Sequence, residues 1–534
     1  MKQHTTPKFA AAILLVQLFI LPLATIGQDA RVAEVNAAIR KEEMEHSHIM
    51  NTLHYLTDLY GPRLTGSPNH VNAAKWAARE MQDWGFDYTG LESWDFGHLG
   101  WVNERSVGLM QKPVQDTLTF EVLAWTPSTK GVVVSDAVNI VLPTRPTQQE
   151  LTSYLDSVKS VVNGKIVLVG KAAVIPVTID PPAKRLADDQ AKQRFTPGAT
   201  PSPRRTPAPT PEPKVGALTN AELNEELDRF LVENNVALRV NDAAMDHGMI
   251  RAFNNRTFDV TRVVPTVILR NEDYGRITRL LADKTVVRLE FDIRNRSVLD
   301  GVTSYNVIGE IAGTDKKDEV VMLGGHLDSW HAATGATDNA IGSSIMMEAA
   351  RIIQALGLKP RRTVRVALWS GEEQGLLGSQ AYVKDHFGSF EEPKPEFAKL
   401  DCYFNIDSGT GRVRGASVFG PPSAAAVIRN ALEPFADFGV AGAVASTSRT
   451  LAGTDSTSFN NAGLAGVGMQ QDPIEYQSHT WHTMLDTYER IVPEDARSAA
   501  VEIAAAVWQV ANRDEMLARF TKEQMPAKPK PAAR

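Results

Sequence analysis

The 534-residue chain has one cysteine, Cys402, so no internal disulfide framework can form. Its stability must come from packing or from metal. Positive charge is not in excess either. The 56 Lys and Arg against 63 Asp and Glu leave a net charge of -7, which argues against a general nucleic-acid binder. Long apolar runs are absent outside the N-terminus. There the stretch from Phe9 to Leu23 is shorter than the ~20 residues a spanning helix needs. It follows Lys2 and Lys8 and precedes the small residues Thr25 and Gly27, the pattern of a secretory signal peptide over 1–27 with cleavage after Gly27. No cysteine stands near that point, which argues against a lipid anchor. The mature chain is expected to be secreted or periplasmic and free of the membrane. A hydrophobic content of 43% and a charged content of 22% are ordinary for a globular protein of two or three domains.

Residues 31–60 carry helical periodicity at Ile49, Leu53, Leu56 and Leu59. "GPRLTGSPN" at 61–69 is a loop, and helical spacing resumes from Asn69 to Trp84. Residues 86–125 read as strands and turns. "GVVVSD", "NIVLP" and "GKIVLVG" are short β-branched runs and predict a small β-rich domain. The tract at 194–214, rich in Pro, Thr and Ala, predicts a disordered or extended loop. An amphipathic helix follows in "LTNAELNEELDRFLVENN", and "VPTVILR" at 264–270 returns to the main body. From Ser304 onward strands and helices alternate, ending in a long helix over 494–518. Such alternation predicts an α/β fold, a mixed, mostly parallel sheet covered by helices, with sites at the C-terminal ends of its strands.

Several chemistry-bearing residues stand at those ends. "EVVMLGGHLDS" ends in His326 and Asp328, "VRVALWSGEE" in Glu372 and Glu373, and "CYFNIDSG" in Asp407. "GATDNAIGSS" puts Asp338 just before a helix, and "SHTWHTMLDT" holds His479, His482 and Asp486. Each alone has an ordinary explanation. His326 reads as a satisfied histidine, Asp338 as a helix cap, Asp407 as a turn former and the Glu pair as a solvated strand end. Their joint occurrence along one predicted sheet edge is what argues for a site. Zinc takes His nitrogen and carboxylate oxygen, and two ions sharing one carboxylate suit two His and three acids. A further carboxylate must stay unligated as general base. Two adjacent glutamates can divide those roles. Asp328, two residues after His326, suits orienting its imidazole.

The motifs "GGHLDSW…GATDNAIGSS", "LWSGEEQGLLGS", "NIDSGTG" and "HTMLDT" resemble those of the secreted co-catalytic di-zinc exopeptidases, over 304–515. That family includes bacterial leucyl aminopeptidases, aminopeptidase Y-like proteins and carboxypeptidase Q, and the layout is most like the last. "GPRLTGSPNHVNAAKWAAREMQDWGF" resembles the family's N-terminal segment, and 116–265 its inserted, β-rich protease-associated domain. The Pro-rich tract, whose core is 196–213, departs from the usual insert. The resemblance implies a zinc exopeptidase fold, with peptidase segments 31–115 and 266–520 and a disordered tail over 521–534. It implies two Zn2+ held by His326, Asp338, Glu373, Asp407 and His482, with Asp338 bridging and a cis peptide at Asp338–Asn339. Glu372 would be the general base, taking a proton from the attacking water and passing it to the leaving amine. The family's "HT–x–x–DT" selects His482 over His479 and leaves Asp486 holding the loop. Asp455 in "AGTDSTSF" falls where the family lines its substrate site, for a free amine or for a turn. The implied substrate is a peptide or dipeptide, and a homodimer is open. The choice among aminopeptidase, carboxypeptidase and dipeptidase is also open. A non-catalytic binding protein and a single-zinc glutaminyl cyclase are the rival readings.

Overall fold

The protein is described by a computed structural model covering residues 30–179, 181, 184–198, 214–450 and 453–528. The expected signal peptide, most of the Pro-rich tract and the end of the tail lie outside these residues. No helix among them is long and apolar enough to cross a membrane.

A mixed eight-stranded sheet forms the centre. Its spatial order is Tyr88–Asp95, Thr303–Ile311, Arg362–Trp369, Lys316–His326, Leu400–Ile406, Gly466–Gln471, Val413–Phe419 and Ala443–Ser446. The four middle strands, from Arg362–Trp369 to Gly466–Gln471, run parallel. Parallel strands covered on both faces must be apolar on both, and these are. Val321, Leu323, Val366, Leu368, Cys402 and Phe404 face one core, beside helices Ile341–Ala355 and Pro493–Ala511. The intervening Met322, Ala367, Trp369 and Tyr403 face the other, beside Leu377–His386 and Ser456–Ala462. Register then fixes the site edge. His326 lies opposite Trp369, and Gly324 opposite Asn405, so the residues just past each strand emerge together.

The second eight-stranded sheet runs in the order Asp116–Thr117, Gly100–Lys112, Arg288–Val298, Val133–Ile140, Ile166–Val169, Leu238–Asp242, Thr266–Leu269 and Phe120–Val122. Its strands begin before and end after 116–265, because Gly100–Lys112 pairs antiparallel with Arg288–Val298. It is less purely β than expected. Helix Gln148–Val162 lies between two of the β-branched runs and was not foreseen, although Thr147 and Glu150 form a reciprocal capping box. Asn220–Glu233 and Asn271–Ala282 add two more helices.

Three helices end for local reasons. The helix over 30–46 breaks before Ile49, where the His48 N–H donates to the buried Glu348 carboxylate at 3.2 Å. Pro422–Leu432 becomes a 3-10 turn from Glu433, because Pro434 has no N–H to continue the ladder. The closing helix stops at Ala511 rather than running to 518. Buried Arg362 donates to the carbonyls of Val510 and Arg513 at 3.3 and 2.7 Å, ending it with a charge suited to a helix C-terminus.

Segment 184–195, between two strands of the second sheet, crosses onto the first. Arg185 pairs with Asp472 and Asp495 at 3.0 and 2.8 Å, and the buried Phe195 ring packs against Gly415. The crossing ends beside the loop that carries His482, since the Lys184 carbonyl accepts the Ile474 N–H at 2.7 Å.

Candidate metal centre

His326, Asp338, Glu373, Asp407 and His482 meet in one pocket. The His326 Nε2 lies 3.1 Å from Asp338 Oδ1 and 3.5 Å from Asp407 Oδ1. The His482 Nε2 lies 3.1 Å from Asp338 Oδ2 and 3.0 Å from Glu373 Oε2. The two Asp338 oxygens are thus shared between two donor sets. Glu372 comes in beside the first set, with one ligand atom each of His326, Glu372 and Asp407 lying within 4.8 Å of one another. His479 is not among these groups, and its Nδ1 meets the Ser478 hydroxyl at 2.8 Å.

Each donor is aimed by local structure. The loop after Lys316–His326 returns over the sheet edge to Asp338, which has φ -131° and ψ 87° and a cis peptide to Asn339. Asp486 accepts the Thr337 and Asp338 N–H groups at 2.5 and 3.1 Å and so holds that turn. Gly371 turns the chain into the Glu pair at φ +70°, where a Cβ would lie 2.8 Å from the Trp94 ring. His482 has φ +60°, a left-handed backbone that its flanking hydrogen bonds must enforce. The Tyr476 hydroxyl donates to Asp407 Oδ1 at 3.3 Å.

Asp328 is placed differently from the expectation. The imidazole Nδ1 of His326 lies 2.9 Å from the Asp328 backbone carbonyl, whereas the nearer carboxylate oxygen is 3.7 Å away. The carboxylate instead accepts the Glu372 N–H at 3.2 Å, the Glu373 N–H at 3.3 Å and the Thr65 hydroxyl at 3.0 Å. It orients the Glu–Glu peptide, while its backbone orients the histidine.

The electrostatics show what the pocket is short of. Burial pushes the Glu372 carboxyl well above its ordinary pKa and raises Glu373 to about 8. Burial opposes charge on both imidazoles, yet the carboxylates outweigh it, raising His326 well above its usual value and His482 to about 10. Asp486 rises to about 7 by burial and by the charge of Asp338. Glu373 Oε1 is buried without a hydrogen-bond partner. Carboxylates this closely packed need protons or cations among them. Two His and three Asp/Glu, with a buried carboxylate oxygen left without a partner, fit divalent cations such as zinc.

Several contributors come from places the motifs do not mark. Arg63 is fully buried and donates to the carbonyls of Leu56, Leu327, Thr334 and Gly335 at 2.6–2.9 Å. It ties the first loop to the turn before Asp338, and burial lowers its pKa to about 10. "GPRLTG" was legible as a loop, but no local signal marked a buried arginine. Trp330, Gly335, Thr483 and Asp486 wall a narrow space over Asp338, Glu373 and His482. The Phe253 ring, from the second sheet's unit, lies 5.4 Å from the His482 ring and 5.1 Å from Trp330, centroid to centroid. Asp455 is fully buried and its oxygens accept no hydrogen bond.

A parallel sheet edge presenting this donor set belongs to the co-catalytic metallo-exopeptidases, hydrolases of peptide bonds. Residues 306–507 match Peptidase family M28. It is 26% identical to carboxypeptidase Q of Mus musculus over 92% of this chain and 91% of that protein. Two solved structures share the fold. A peptidase M28 precursor from Shewanella amazonensis superposes with TM-score 0.63 at 24% identity, covering 92% of this chain and 99% of that one. A zinc aminopeptidase from Bacillus subtilis gives TM-score 0.53 at 18% identity, with coverages of 90% and 98%.

Proposed function

We propose that the chain is an exported, zinc-dependent exopeptidase that hydrolyses terminal bonds of peptides or splits dipeptides. The observation that carries this is the division of Asp338, whose two oxygens each face a different imidazole at 3.1 Å. In this reading His326, Asp407 and Asp338 would hold one zinc, and His482, Glu373 and Asp338 the other. When bound, the zinc pair would polarise the scissile carbonyl and acidify the attacking water.

The chain's own groups do the rest. Asp338, held by Asp486, keeps the two donor sets in register. Asp328 fixes the backbone of Glu372, so the Glu372 carboxylate stays beside His326 and Asp407. There it would take the proton from water and return it to the leaving amine nitrogen. Trp330 and Phe253 would exclude bulk water above the cleft. The rival glutaminyl cyclase needs one zinc, and the paired donor sets favour two. We assign the unit around the second sheet to the protease-associated insertion of the family, bounded by its outer strands near Gly100 and Val298.

The test is release of free amino acids by zinc-loaded protein, with a chelator control. The substrates are a free dipeptide and longer peptides, each also N-acetylated or C-amidated. Cleavage blocked by N-acetylation alone makes it an aminopeptidase. Cleavage blocked by amidation alone makes it a carboxypeptidase, and activity confined to free dipeptides a dipeptidase. No cleavage with two zincs bound would overturn the reading in favour of a binding protein.

A further inference from the structure

Arg251 comes from the other unit to the loop that carries His482. Residues 250–253 run along the loop that carries His482. Arg251 pairs with Thr483 in an isolated antiparallel bridge, and the Met484 N–H donates to the Ile250 carbonyl at 3.0 Å. The guanidinium carbon lies 4.7 Å over the Trp481 ring, and that ring lies 4.1 Å from the His482 ring. Thr483, beside it, walls the cleft.

This arginine has no anion. Its Nε is buried without a hydrogen-bond partner, and no carboxylate among the described residues offsets the burial that lowers its pKa. The other arginines near the centre are engaged. Arg63 is spent on four carbonyl groups and Arg185 on two aspartates. A half-buried guanidinium, stacked and held by its backbone, is a pre-ordered receptor for a planar anion, and its fork matches a carboxylate.

The spacing fits one particular carboxylate. The two ring spacings, 4.7 and 4.1 Å, limit how far the guanidinium can stand from the imidazole of His482. One residue of extended chain spans about 3.5 Å, and a contact at each end adds about 3 Å, which fills that reach. No more than a single residue therefore fits between the scissile bond and the anion.

Resting on the exopeptidase reading, we propose that Arg251 binds the substrate's C-terminal carboxylate. The enzyme then removes a C-terminal residue or splits dipeptides, and does not act as an aminopeptidase.

The test compares alanyl-leucine with its C-terminal amide on zinc-loaded wild type, Arg251→Met and Arg251→Lys. Wild type is expected to prefer the free acid by about 10- to 100-fold in kcat/KM, the worth of one charge-assisted bidentate contact. Arg251→Met should lose that preference, chiefly through KM, and keep its rate on the amide. Arg251→Lys should recover part of it. Inhibition by free leucine should weaken in Arg251→Met by a similar factor, while inhibition by leucinamide does not change. Equal wild-type rates on acid and amide, or equal loss on both in Arg251→Met, would overturn the proposal and leave the exopeptidase reading standing. Wild type cleaving neither substrate would overturn both.

Discussion

The Asp328 carboxylate separates two accounts of how the centre is positioned, and Asp328→Asn tests them. The carboxylate is fully buried and accepts from the Glu372 N–H, the Glu373 N–H and the Thr65 hydroxyl. An amide of the same shape keeps one accepting oxygen and turns an NH2 toward a donor. At least one buried backbone N–H then loses its acceptor, which costs about 1–3 kcal/mol. The cost falls on the peptide that aims the general base, so kcat/KM should drop about 10- to 100-fold. The His326 imidazole is oriented by the Asp328 backbone carbonyl at 2.9 Å, which the substitution leaves in place. Bound zinc should therefore stay at the wild-type level, and urea denaturation should show the loss of about 1–3 kcal/mol. Metal analysis and peptide hydrolysis on one preparation decide it. If Asp328→Asn sheds zinc while activity per bound zinc stays at wild type, the carboxylate orients the histidine and does not aim the Glu–Glu peptide.

Three further outcomes are expected. Glu372→Gln should retain zinc and lose about 10²- to 10⁴-fold in kcat, and a metal-loaded variant with normal turnover would remove Glu372 from the role of base. Chelation should lower the thermal midpoint and zinc should restore it, because buried Asp338, Glu373 and Asp407 lose their counter-charge; an unchanged midpoint would mean the pocket does not need metal. His70 is fully buried, both ring nitrogens lack partners, and burial lowers its pKa from 6.5 to about 4. The unfolded state therefore binds the proton first, so this stability is complete above pH 6.5 and is lost as pH falls toward 4. The term is about 3 kcal/mol, and His70→Phe should flatten the pH dependence of urea stability over that window.

The donor edge was readable because its cause is local. Near-continuous apolar runs in "EVVMLGGH", "VRVALW" and "LDCYFNI" mark strands buried on both faces, and parallel strands deliver the residues just beyond their C-terminal ends to one edge. The capping box at Thr147 and Glu150 and the break at Pro434 were equally local and were passed over, the first under the β-branched runs beside it.

What the sequence alone determined is the set of reactive side chains and the strand ends that carry them, since apolar runs and helix spacing are properties of neighbouring residues. Only the tertiary structure decided which groups those side chains meet. Arg63 acts on a turn more than 250 residues away, and Asp328 sends its carbonyl to one residue and its carboxylate to three others. Arg251 reaches His482 through Trp481 because two separate sheets are packed together. Such contacts depend on register and on the packing of distant segments, and no local pattern encodes either.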